Sequence, residues 1–181
     1  MDLLERRRMM MAASGGVWKT YTLSYTFTGV AGQEIDTGLK LYHFSAWQLT
    51  ATFNGNVASS WGSSNTDFYP LSFQYVDRNN INREAIPHVQ LMSGGVWVEG
   101  VGPYYQGGSG FNKTFTLTAS WESGTDAVVS LSGPNISLSG TATAPDYRYI
   151  TGGGSLVLFK KGGSSANYPT GTIDITIKYK E

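Results

Sequence analysis

From Val17 onward the chain alternates apolar and polar residues one for one, and that period dictates β-strands. In the stretch around Leu23 the odd positions Tyr21, Leu23, Tyr25 and Phe27 are apolar, and Thr20, Thr22, Ser24 and Thr26 are polar. Side chains two apart share one face of a strand, so this segment has one face for a core and one for water. The chain closes the same way, with Ile173, Ile175, Ile177 and Tyr179 alternating with Asp174, Thr176, Lys178 and Lys180. Leu71, Phe73 and Tyr75 repeat the pattern in PLSFQYV, as do Phe111, Phe115, Leu117 and Trp121 in FNKTFTLTASW. In LKLYHFSAWQLTATF, Leu39, Leu41, Trp47, Leu49 and Phe53 fall on one side and Tyr42 and Phe44 on the other. That conflict predicts a bulge near His43 or a face covered on both sides.

Turn chemistry punctuates these runs. Asn54-Gly55 predicts a tight turn at the end of a strand. WGSSNTDFYP and VGPYYQGGSG read as loops, and VDRNNINREAIP as a polar connection with a helical turn near 79–86. HVQLM and GVWVEGV read as short strands around Gly94-Gly95, and SLVLFKK as a buried one. SLSG occurs at 130–133 and again at 137–140, which predicts two short strands around Pro134-Asn135-Ile136. About nine to eleven short strands separated by Gly, Pro and Asn turns predict an all-β fold: an antiparallel β-sandwich, jelly-roll-like, with a closed barrel as the alternative.

At 181 residues the chain fits one domain large enough to bury a core without metal or disulfide staples, and it contains no cysteine. Thirteen basic residues balance thirteen acidic ones, and residues 17–181 carry a net charge of −1. Such a body lacks the basic footprint of sequence-independent nucleic-acid binding. Only 14% of residues are charged, against about a quarter in ordinary soluble domains. No apolar run reaches the length of a membrane-spanning helix, so no membrane insertion is expected.

Residues 1–16, MDLLERRRMMMAASGG, differ from the β-rich body at 17–181. The apolar MMMAA is too short for a secretory h-region, so the expected site of synthesis is the cytoplasm. Asp2 can cap a short helix and Gly15 can end it. Leu3 and Met10, and Leu4 and Met11, are each seven residues apart and form one stripe, beside Arg6, Arg7 and Arg8. A helix this short is marginal alone and would order on a partner surface. The segment reads as an assembly element, or else as a frayed terminus or an upstream start codon.

Neither a nucleophile elbow nor a phosphate-binding loop is present. His43 and His88 stand in separate segments and read as structural. Asp77, Asn79, Asn80, Asn82 and Glu84 lack the glycine and span of a calcium loop and read as a solvated turn. Nothing in the sequence brings Glu99 and Glu122 to one cleft. The expectation is a non-enzymatic protein without metal or cofactor. Trp61 and Tyr69 on one loop, with Phe68, and Tyr104 and Tyr105 on another, with Phe111, are candidate contacts for glycan or protein. The alternative is that these rings cap the core.

The opening MDLLERRRMMMAASGG resembles the short leaders of small virion proteins of tailed bacteriophages, especially those of gut Bacteroidetes hosts. The closing TGTIDITIKYKE resembles the last strand of their β-rich capsid-decoration, fibre-attachment or tail-tip proteins. The resemblance implies a structural protein of the virion that assembles in many copies with other virion proteins, docking through residues 1–16. The competing class is a carbohydrate-binding module, and a third reading combines them in a virion protein that touches host glycan.

Overall fold

The computed structural model describes residues 16–28, 34–41, 44–57, 68–76, 79, 82–92, 95–98, 102–105, 111–122, 126–133, 136–143, 152–161 and 170–181. Their strands are β1 (Lys19–Thr28), β2 (Ile35–Asp36), β3 (Ala46–Val57), β4 (Phe68–Val76), β5 (Asn82–Met92) and β6 (Gly95–Val98). They continue with β7 (Gly102–Tyr105), β8 (Phe111–Trp121), β9 (Asp126–Gly133), β10 (Ile136–Thr143), β11 (Gly152–Lys161) and β12 (Thr170–Lys180). Two separate six-stranded sheets result, with all pairs antiparallel: β1-β12-β3-β8-β9-β10 and β2-β11-β4-β5-β6-β7. The fold is an antiparallel β-sandwich of jelly-roll type, not a closed barrel.

The period-two pattern sets the packing. Leu23, Ile175, Ala51, Leu117, Leu131 and Leu138 are successive register partners across all six strands of the first sheet. In the next row Ile177, Leu49, Ala119 and Val129 are partners. Small residues set between large ones suit two inner faces about 10 Å apart, whose side chains must interdigitate. The second sheet meets them with the row Leu158, Leu71, Val89 and Val98, and with Leu156 beside Phe73. These residues join those of the first sheet in one buried cluster. Phe53 lies at its centre, 5.6 Å from the Phe27 ring and 5.1 Å from that of Phe115. Burying each such side chain contributes roughly 1.5–3 kcal/mol.

Several expectations need correction. Asn54-Gly55 is not a turn, because β3 runs through it to Val57. Gly55 instead faces Gly171 of β12 at a close backbone approach. Leu39 and Leu41 precede β3 and belong to the link after β2, and the irregularity expected near His43 lies outside the described residues. That link is tied to β11 by Thr37 N–H donating to the Leu156 carbonyl (2.9 Å) and Leu156 N–H to that of Leu39 (3.0 Å). The expected polar connection near 79–86 is strand from Asn82 onward. Phe68 and Tyr69 lie on β4 and Tyr104 and Tyr105 on β7, not in loops, whereas Phe111 opens β8 as its alternation predicts. The SLSG echo forms two paired strands as expected, with Ser130 opposite Ser139 and Leu131 opposite Leu138.

Candidate functional site

The outer faces of the two sheets differ in kind. On the first sheet, Ser24, Asp174, Thr52, Thr116, Ser132 and Ser137 form one register row, and Thr22, Thr176, Thr50, Thr118, Ser130 and Ser139 the next. These side chains are exposed or half-buried and bond to one another, as in Ser24 to Asp174 (2.5 Å) and Thr118 with Ser130 (2.6 Å). This is a solvated polar face.

On the second sheet the polar positions of the central strands are enclosed. Leu71 and Phe73 point to the core, so Ser72 between them points away, and the same alternation turns His88 and Val157 outward. Val157, Ser72 and His88 are consecutive partners across β11, β4 and β5. Ser72 is 0% exposed, His88 4% and Ser155 5%. Val157 is 6% exposed, yet it stands apart from the core cluster that holds Leu156 and Leu158. The far side of this sheet is therefore covered as well, and Ser72, His88 and Ser155 are the buried polar residues on it among the described residues.

Local sequence explains the placement. Ser72 pairs with His88 and Phe73 with Ala85, so Ile86 and Pro87 are extra residues in β5. A proline offers no N–H to a ladder, and a bulge is where a central strand accommodates one. A second irregularity falls between Gly153 and Ser155 of β11, where Gly154 takes φ 74°. Bulges re-aim side chains and recur beside functional sites. Here they bring the Ser72 hydroxyl to 2.9 Å from His88 Nδ1. An unpaired polar group buried there is costly, and this bond satisfies two at once. By backbone register Gln74 is flanked by Ser155 and Glu84, and Gln90 is opposite Trp97.

A hydroxyl and an imidazole each donate and accept, which suits them to a ligand rich in hydroxyl groups. The same pair is also the first half of a general-base arrangement, so acid–base chemistry is within this geometry's capacity. Among the described residues no three His, Asp or Glu side chains gather to hold a metal ion. Asn82 and Glu84 occupy ladder positions on β5, which removes them from a calcium loop. Glu122 is exposed and pairs with Lys180 at 3.7 Å. Among the described residues no helix is long and apolar enough to cross a membrane.

Of the residues singled out in the sequence, Tyr69 and Tyr104-Tyr105 share the second sheet with His88. They are three strand spacings apart, about 14 Å, so they do not form one contact point. Trp61 lies outside the described residues, as do Leu3, Leu4, Arg6, Arg7, Arg8, Met10 and Met11. Sequence reasoning set His88 aside because a lone histidine carries no spacing signal. The proline immediately before it was the available clue.

No protein-family model and no curated protein matches the chain in sequence. In three dimensions it is similar to a protein of unknown function from Shewanella oneidensis MR-1, with a TM-score of 0.50 and 11% identity over 99% of this chain and 95% of that one. It is also similar to peanut lectin (TM-score 0.49, 8% identity, 88% of this chain and 98% of that one). A family 7 alginate lyase, A1-II′, gives a TM-score of 0.45 and 8% identity over 89% of this chain and 77% of that one. At these identities the likeness concerns the fold alone, an all-β sandwich.

Proposed function

We propose that the protein is a saccharide-binding β-sandwich whose binding face is the outer side of the second sheet, centred on Ser72 and His88. The observation that carries this reading is the enclosure of a hydrogen-bonded hydroxyl–imidazole pair on the side of the sheet away from the core. Groups that can both donate and accept match sugar hydroxyls, and the register adds Gln74, Gln90 and Trp97 to the same sheet. The two chain ends, which resemble those of phage virion proteins, extend the proposal to a particle component that meets host glycan.

The test is affinity electrophoresis through gels containing neutral polysaccharides (xylan, mixed-linkage glucan) or an acidic one (alginate). Retardation of the wild type by at least one polymer, lost in His88→Gln and in Trp97→Ala at unchanged melting temperature, supports the reading. Retardation that persists in both variants overturns it, as does a wild type that no polymer retards. Release of new reducing or unsaturated ends during the run would make the same face an active site.

A further inference from the structure

The four edges of the two sheets are unequally protected. β2 is two residues long and ends in Asp36, and β7 is four residues long and contains Gly102 and Pro103. β10 has eight residues with Gly140 among them. Shortness, charge, glycine and proline all blunt the addition of another strand. β1 has none of these protections. Its ten residues keep unbroken register with β12, and they include no Pro, Gly or bulge. Its single charge, Lys19, is already paired with Glu181. Among the described residues β12 is its only strand neighbour.

The exposed apolar side chains collect at this edge. Of the four large hydrophobic residues that the described part of the chain leaves exposed, Val17 (82%), Trp18 (37%) and Tyr21 (37%) lie on or just before the first half of β1. Lys180 Nζ sits 4.8 Å from the Trp18 ring centroid and fixes that ring beside the edge. Residues Lys19, Thr20, Tyr21 and Thr22 are exposed, whereas the strand sinks into the core toward Phe27.

We propose that the first half of β1 is a self-association edge, through which two copies of the chain pair antiparallel over Lys19–Leu23 and join their first sheets into one. The sequence is compatible with its own copy. A twofold axis at Tyr21 sets Thr20 against Thr22, Lys19 against Leu23 and Tyr21 against its counterpart, so polar and apolar faces both continue across the joint. Charge does not oppose it. The Lys178 residues of the two copies lie three strand spacings apart, about 14 Å, beyond the screening length of about 8 Å at physiological salt.

Sedimentation equilibrium of the full chain tests this, with Thr20→Lys/Thr22→Lys as the disrupting variant and Ser139→Lys on the β10 edge as control. Thr20 and Thr22 are exposed, and the two introduced lysines face each other only in the dimer; Thr20→Lys also stands opposite Lys178 within the monomer, so the melting temperature of the double variant is read alongside. The expected results are a wild-type dimer, a dimerisation constant at least tenfold weaker in the double variant, partial recovery at high salt, and no change in the control. A wild type that stays monomeric at its highest soluble concentration overturns the proposal, as does a double variant that dimerises normally. Should the double variant unfold, hydrogen exchange of the wild type decides instead. Amides of residues 19–23 gain protection as concentration rises if this edge pairs, and concentration-independent exchange overturns it.

Discussion

Gly55 and Gly171 face each other where β3 and β12 nearly touch. A Cβ at Gly55 would fall 2.4 Å from the Thr170 carbonyl oxygen, and one at Gly171 would fall 2.3 Å from that of Asn54. Gly171 also has φ +145°, where an L side chain is strained. Gly171→Ala should therefore destabilise by more than about 1 kcal/mol, read as a lower urea midpoint at unchanged slope. The need for glycine was legible in Asn54-Gly55, but its reason was not, since a turn and a close approach both favour the residue. Register was legible more directly. Ile175 is 2% exposed between Ile173 and Ile177, whereas Asp174 on the other face is exposed and accepts a bond from Ser24. Ile175→Asp should cost several kcal/mol by burying an unpaired carboxylate, and Asp174→Ala should stay within about 0.5 kcal/mol. Equal melting temperatures for the two variants would reverse the assignment of faces.

β1 and β5 show why one strand is readable and another is not. β1 alternates without a fault, and its depth changes along its length, from exposed Tyr21 through half-buried Leu23 and Tyr25 to Phe27 at 3% exposure. Phe27→Ala should therefore cost about 3–5 kcal/mol, because the cavity opens against Phe53. Tyr21→Ala should cost less than about 1 kcal/mol in the monomer. Comparable urea midpoints for the two would mean that the strand lies flat on the core. β5 hid behind its own chemistry. Asn82, Arg83 and Glu84 read as a polar connection, and Pro87 argues against a central strand. Pairing with β4, a bulge that absorbs Ile86 and Pro87, and a second partner in β6 from Val89 onward make the segment a strand despite its composition. Tertiary pairing decided there what local propensity could not.

The chain passes from one sheet to the other six times, and its first and last long strands lie side by side in register from Lys19–Tyr179 to Thr28–Thr170. Alternation identifies the strands but not which of them become neighbours, so the sandwich was legible in the sequence and its candidate site was not. Ser72 and His88 lie 16 residues apart on the consecutive strands β4 and β5, whereas Ser155 comes from β11, far along the chain, and only the order β11-β4-β5 brings it beside them. The same closure of the ends bears on residues 1–16. Gly16 already lies against the carboxyl-terminal strand, since a Cβ there would sit 3.1 Å from the Glu181 carbonyl oxygen. From Lys19 onward β1 is zipped to β12, and among the described residues the core cluster draws no side chain from before Phe27 apart from the partly buried Leu23 and Tyr25 packed against it. A chain beginning at Val17 should melt close to the full-length protein, because it loses the Gly16 backbone contact but keeps β1, its pairing with β12 and the core cluster. It should also keep the β1-mediated dimer, whose apolar residues start at Val17. Leu3, Leu4, Met10 and Met11 would then act only in higher assembly, where Leu4→Asp should block incorporation into particles without changing the melting temperature. Calorimetry and sedimentation of the shortened chain separate the possibilities. A lower melting temperature would place the headpiece in the folding unit, and a monomer of normal stability would move the dimer contact from β1 to residues 1–16.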